Sequence, residues 1–354
     1  MNFSDCEFIY EKLRCESHPV IIYGTGNGAE KLLHHLDTYK IPVAGVFASD
    51  GFVRERMFCG YKVESFSSLK SRLGECTVLL GFATDRSELL DRIKELSRDV
   101  DGRLYVPEVP VFGNDIFTPQ LLESRKGDIE RLHDSLADDL SRKVLEGLIR
   151  FKITADPQEL YNIETHRKEV YENIIKPEKG DAFVDAGAYD GDTVEEFMKY
   201  CPDFGRIYAI EPAPVNFRKL SCNPNLQRNN ISFINCAVSD KSMEMFFSEK
   251  GGRSPHLVNE GKVPVRVDTI PVLIQETPHI VKLDVEGAER ETINGMAELI
   301  RKDAPTLMVS IYHKNEDFID LPLLVKDMQP DYKLYIRHHP YLPAWETNLY
   351  AVKR

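Results

Sequence analysis

The stretch VDAGAYDGDTVEEF, Val184 to Phe197, decides how the chain is read. An apolar run enters a glycine turn and an amphipathic helix leaves it, the strand–turn–helix unit of an open α/β sheet. Such turns often hold a phosphate, because backbone N–H groups and the helix dipole favour an anion. Here Asp185, Asp190 and Asp192 crowd the turn, and Tyr189 stands where a G-x-G-x-x-G pattern needs its next glycine after Gly187. Carboxylates repel a pyrophosphate. The same DGDTVEEF is also a good helix start, so capping by Asp185 or Asp190 competes with any ligand role.

Working outward, Glu211 follows the apolar run RIYAI, about 20 residues beyond the turn, where an acid takes ribose hydroxyls in dinucleotide folds. A turn lined with carboxylates followed by a ribose acid suits a cationic nucleoside, S-adenosylmethionine, with Asp185, Gly187, Tyr189, Asp190, Gly191, Glu211, Pro212 and Asp284 as its expected contacts. Cys236, Ala237 and Val238, at the end of INCAV, are candidates to frame the adenine. The runs DAFVDAG, RIYAIEP, ISFINCAV, HIVKLDVEG, TLMVSIYH, YKLYIRHH and TNLYAVK are strand-like, most of them separated by helical stretches, the cadence of a doubly wound domain over 176–354. Ligands of such sheets bind beyond the carboxyl ends of the strands, so Asp185, Glu211, Asp284 and His313 are expected along one edge.

Together FVDAGAYDGDTVEEF, IYAIEPAPVNFRKL, VRVDTI, IVKLDVEGAERETINGM and SIYHKNEDFIDLP resemble the FkbM family of S-adenosylmethionine-dependent methyltransferases, from about Asp181 to Val352. The resemblance implies a class I methyltransferase sheet of seven strands, the last antiparallel, and methyl transfer to an oxygen of a sugar or natural product. An attacking hydroxyl must lose a proton, and His313 is the candidate general base because imidazole titrates near neutrality. A hydrogen-bonded structural histidine is the alternative. Asp284 and Glu286 could hold the acceptor, orient the base or take the proton themselves. Two carboxylates without an evident third ligand are weak evidence for a cation, so no metal is expected. Lys314, Arg337, His338 and Glu346 are candidates to border the acceptor, and GGRSPHL, Gly251 to Leu257, reads as a loop near the site.

The first part of the chain, 1–113, is a smaller Rossmann-like α/β pattern, and 114–175 a helical linker. YGTGNGAEKLLHHL places Gly24, Gly26 and Gly28 between a strand and a helix with no acid in the turn, and Asp50 follows at the spacing of a ribose-binding acid. GVFASDG followed by CGYKVESFSSL resembles the nucleotide-sugar-binding domain of bacterial sugar N-acyltransferases, which implies a nucleotide or nucleotide sugar as its ligand. Packing or dimer formation is the alternative role.

Composition limits the partners. A formal net charge of -12 argues against a nucleic-acid surface, since phosphate affinity comes from clustered Lys and Arg. No stretch approaches the ~20 apolar residues of a membrane span, and the seven cysteines, odd in number and without a C-x-x-C pair, fit reduced thiols in a cytoplasmic protein. The expectation is therefore an O-methyltransferase acting on a sugar hydroxyl, free, nucleotide-linked or within a glycan or secondary metabolite. An NAD-dependent oxidoreductase built on the first turn and a non-catalytic binder of the methyl donor are the competing readings.

Overall fold

The computed structural model describes every residue except 2, 50–56, 114, 248–256, 259–262 and 354, and for 247, 257, 258 and 263 the backbone alone. Asp50 and nearly all of the Gly251–Leu257 stretch lie outside the described residues. The chain forms two compact units. One comprises Met1–His133, Asp139–Thr165 and His338–Glu346, and the other Asp134–Asp138, His166–Arg337 and Thr347–Arg354.

In the first unit, β1 (Val20–Tyr23), β2 (Val43–Phe47), β3 (Met57–Phe58), β4 (Tyr61–Glu64), β5 (Thr77–Leu80) and β6 (Leu104–Tyr105) form one sheet in the order β3-β4-β2-β1-β5-β6. All pairings but the β3–β4 hairpin are parallel. The all-apolar VIIY of β1 is buried throughout, as a central parallel strand covered on both faces must be. The expected helical linker is divided between the units. Its longest helix, Asp139–Thr154, turns Val144, Leu145, Leu148 and Ile149 inward, and its buried Lys152 pairs with Glu108, so this part condenses with the first unit.

The second unit holds β7 (Ala182–Ala186), β8 (Arg206–Ile210), β9 (Ile231–Ile234), β10 (Ala237–Val238), β11 (Met243–Phe247), β12 (Leu257–Val258), β13 (Val263–Asp268), β14 (Ile280–Leu283), β15 (Thr306–Ser310), β16 (Lys333–His338) and β17 (Thr347–Val352). Seven of them make a sheet in the order β16-β17-β15-β14-β7-β8-β9. Strand β17 runs antiparallel to β15, as the last strand of a class I methyltransferase sheet does. The strand order reverses between β7 and β14, which pair in parallel from Ile280↔Phe183 to Leu283↔Ala186. A crevice opens at the carboxyl ends of strands that diverge in this way, and it is where such sheets bind ligands. A small second sheet, β10-β13-β11-β12, follows β9 and is not foretold by the sequence pattern. Beneath the main sheet, Phe183, Val194, Phe197, Ile207 and Leu220 are fully buried in one core, with Phe183 stacked on Phe197 at 4.3 Å, and they anchor the turn between β7 and its helix.

Candidate active site

The turn after β7 is built from glycine geometry. Gly187 has φ of 83°, and a side chain there would bring its Cβ to 1.8 Å from the Asp284 carbonyl oxygen. Only a bare backbone permits the ends of β7 and β14 to approach this closely. Gly191, with φ of 98°, starts the Asp192–Tyr200 helix and carries no side-chain cap, so neither Asp185 nor Asp190 caps it.

The N–H groups of this turn are spent inside the protein. Those of Gly187 and Ala188 both donate to Ile210 O at 2.9 and 3.0 Å, that of Gly191 donates to Ala188 O, and that of Tyr189 donates to Glu211 Oε2 at 3.0 Å. A phosphate would find few free donors here, which agrees with the reading drawn from charge. Tyr189 is the exposed residue of the turn, held at φ 46° with Lys219 Nζ 5.2 Å above its ring.

Glu211 ends β8 and is buried. Its Oε1 accepts from Ala213 N at 2.8 Å while Oε2 takes Tyr189 N, so both oxygens are fixed. Burial pushes its pKa up, and the two backbone donors, the Asn216 side chain and Lys282 pull the other way. Asn235, which the sequence did not single out, donates Nδ2 to Glu211 O at 2.8 Å and Pro212 O at 3.0 Å and locks this segment. Ala237 and Val238 are buried as strand β10, and Val238 O accepts from the Thr292 hydroxyl, so their side chains belong to the small sheet's packing.

Asp185 departs from its expected place on the lining of the turn. It is fully buried (0% exposed), and its charge is met from within by Lys282 of β14, whose Nζ lies 3.1 Å from Asp185 Oδ1 and donates to Gly187 O at 2.9 Å. Burial raises the Asp185 pKa against the pull of Lys282. Lys282 Nζ also lies 3.8 Å from Asp284 Oδ2. Burial disfavours its ammonium, but Asp185 and Asp284 overcome that and hold it charged.

Beyond Lys282 the network reaches the acceptor side. Asp284 follows β14, and its carboxylate accepts from the Tyr312 hydroxyl at 3.3 Å. The next residues turn sharply, with φ of 53° at Glu286 and 92° at Gly287, which presents Glu286 beside Asp284. His313, three residues past β15, is 2% exposed. Its Nε2 lies 3.4 Å from Asp284 Oδ1 and 3.8 Å from Glu286 Oε2, and its Nδ1 is 2.9 Å from Glu289 Oε1. Glu289 is 1% exposed and accepts Val285 N at 2.9 Å.

This placement bears on the expectation for His313. Burial alone would strip its proton, yet Glu289, Asp284 and Glu286 more than compensate and raise the pKa to about 10. A ring that its carboxylate neighbours hold toward the protonated form is a weaker acceptor for a hydroxyl proton than those carboxylates are. The exposed members of the cluster are the carboxylates, with Asp284 at 29% and Glu286 at 49% of side-chain surface.

The remaining candidates have partners of their own. Lys314 N donates to Asp317 Oδ2 at 2.8 Å and helps start the Asp317–Met328 helix. Arg337 is buried and ion-paired with Asp138 at 2.5 Å. His338 and Glu346 belong to the first unit, where His338 is buried and Glu346 O accepts His339 N. In that unit Gly24 has φ of 122°, and a Cβ on Gly28 would meet Gly81 O at 2.7 Å, so Gly28 permits the Asn27–Thr38 helix to pack on the end of β5; Gly26 is its N-cap.

Residues 185–342 match the family model described as the methyltransferase FkbM domain. The match spans the glycine turn after β7, the Asp284 turn and His313. Among solved structures, a methyltransferase FkbM from Methylobacillus flagellatus KT aligns over 97% of the chain and 92% of its own, with a TM-score of 0.74 and 20% identity, a likeness of fold. An Aeropyrum pernix fibrillarin with bound S-adenosyl-L-methionine (49% of this chain, 67% of that one, 16% identity, TM-score 0.29) and an rRNA methylase from Streptococcus thermophilus (53% and 96%, 13% identity, TM-score 0.35) match too loosely to carry an argument. No curated protein matches the sequence. No helix among the described residues is long and apolar enough to cross a membrane.

Proposed function

We propose that the second unit is a methyltransferase of the FkbM type, S-adenosylmethionine-dependent and acting on a sugar hydroxyl oxygen. The observation that carries this reading is the convergence, at the β7/β14 switch point, of a glycine turn whose Gly187, Ala188, Tyr189 and Gly191 N–H groups are already paired, the fixed carboxylate of Glu211 and the exposed pair Asp284 and Glu286. Glu211 is assigned to the ribose, its two oxygens already aimed by backbone donors. Gly187 and Tyr189 are assigned to the methionine portion of the donor.

When bound, the donor supplies a methyl group activated by its sulfonium, so positioning the acceptor in line supplies much of the rate. Asp284 and Glu286 are exposed enough to take a hydrogen bond from the acceptor hydroxyl and then its proton. His313 acts through them. Enclosed by Glu289, Asp284 and Glu286, it holds the Asp284 carboxylate in place and is a positioning residue. Lys282 ties the donor turn at Gly187 O to Asp284, so the two halves of the site share one buried cation.

The test is transfer of an isotopically labelled methyl group to a panel of free sugars, nucleotide sugars and glycans, with the product bond read by mass spectrometry and NMR. Label in an O-methyl group, lost in the double variant D284N/E286Q, supports the reading. Label only on nitrogen or carbon would remove the oxygen specificity.

A further inference from the structure

Two buried polar atoms of the Asp284 cluster are left without a hydrogen-bond partner. They are His313 Nδ1 and Glu289 Oε2, on residues that are 2% and 1% exposed. Nδ1 does lie 2.9 Å from Glu289 Oε1, but the contact lacks the alignment of a hydrogen bond. A buried polar atom left unsatisfied costs on the order of 1–3 kcal/mol. Two ligand atoms held at right angles on one metal by bonds of ~2.1 Å are about 3 Å apart, the spacing seen here.

We propose that Asp284, Glu289 and His313 form a binding site for a divalent cation that accepts both carboxylate and imidazole ligands, Mn²⁺ being the type. One ligand atom from each residue lies within 4.8 Å of the other two. Imidazole and carboxylate together select this class over Ca²⁺, which takes oxygen alone. Val285 N fixes Glu289 Oε1, the outer support that metal ligands commonly have. Charge points the same way: Asp284, Glu286 and Glu289 bring three carboxylates around the one imidazole, and an ion bound at His313 would take the place of the ring's second proton. Asp284 is partly exposed, so the ion would keep coordination positions open on that side, as catalytic metals do.

The cation's role in turnover rests on the methyl-transfer reading; its binding does not. There it would hold the acceptor oxygen and lower the pKa of the hydroxyl. The oxygen–methyl bond forms as the sulfur–methyl bond breaks, sulfur keeps the electron pair, and the hydroxyl proton leaves to Glu286.

The experiment is titration of the chelator-treated, full-length chain with MnCl₂, followed by calorimetry and by the electron paramagnetic resonance of free Mn²⁺. S-adenosylhomocysteine is titrated separately into the same sample. One Mn²⁺ per chain, with affinity lowered about ten- to a hundredfold in both Glu289→Gln and the more exposed Asp284→Asn and unchanged in the surface variant Asp240→Asn, supports the site. Absence of saturable Mn²⁺ binding by a sample that still binds S-adenosylhomocysteine overturns the site and leaves the methyl-transfer reading intact. Equal Mn²⁺ affinity in all variants overturns it as well. Mn²⁺ binding with loss in both variants, in a sample that ignores S-adenosylhomocysteine, upholds the site and counts against the methyl donor alone.

Discussion

Replacing Lys282 by Met removes the one cation beside a fully buried carboxylate. Lys282 meets Asp185, bonds Gly187 O and borders Asp284, so the variant leaves Asp185 at 0% exposure with its charge unmet. Breaking a buried pair from one side costs about 3–5 kcal/mol. At ~2–4 °C per kcal/mol for a domain of this size, the melting temperature should fall by roughly 10 °C at pH 7. The sign of the pH dependence follows from Asp185. Burial already raises its pKa in the native state, and loss of Lys282 raises it further. A carboxyl whose native pKa lies above its unfolded value binds its proton more readily when folded, so the penalty should shrink as the pH falls toward ~4, where the unfolded group also protonates. Urea unfolding of wild type, Lys282→Met and the double variant Asp185→Asn/Lys282→Met between pH 7 and pH 4.5 measures this. The double variant should recover much of the loss, because no buried charge remains. A single variant as stable as wild type at pH 7, or a double variant no better than the single, would refute the assignment of Lys282 as the compensating charge.

Gly187→Ala should cost the domain about 2–3 kcal/mol and abolish donor binding, since its Cβ would sit 1.8 Å from Asp284 O on a backbone at φ 83° and must push β7 from β14; urea unfolding and ligand titration read the two effects. In the first unit, burial first and then the neighbouring His339 push the His338 pKa down to about 3. The unfolded chain takes up a proton near its ordinary value of ~6.5 that the native state refuses, so stability is lost as the pH falls below that, by up to about 1.4 kcal/mol per pH unit. His338→Gln should flatten this part of the acid limb; an unchanged limb would show that His338 is not the group responsible.

The main sheet was legible because its central strands are short, mainly apolar runs that end in turn signals, and that pattern depends on local sequence alone. The turn at Gly187 was legible for a related reason: charge and glycine spacing are properties of one short segment. What escaped depended on distant segments meeting. Asp185 looked like a ligand contact because its partner, Lys282, is contributed by another strand; a lysine inside the apolar run IVKL was the signal that a buried counter-charge was needed. Glu289 reads as an ordinary acid of a helix's first turn, and only its approach to His313 gives it meaning. For the same reason His313 looked like a base. Its sequence position gave no sign that three carboxylates from the β14 turn and the following helix surround the ring. Arg337 and His338 seemed to border the site as a strand end, yet Arg337 is spent on Asp138 and His338 is buried with the first unit.

The most direct measurement is calorimetric titration of the full-length protein with S-adenosylhomocysteine, in wild type and Glu211→Ala. One saturable site per chain, weakened at least about tenfold in Glu211→Ala through loss of a charge-assisted pair of hydrogen bonds, is the expected result. A folded wild-type protein that takes up no S-adenosylhomocysteine would contradict the assignment of the β7/β14 crevice to a methyl donor.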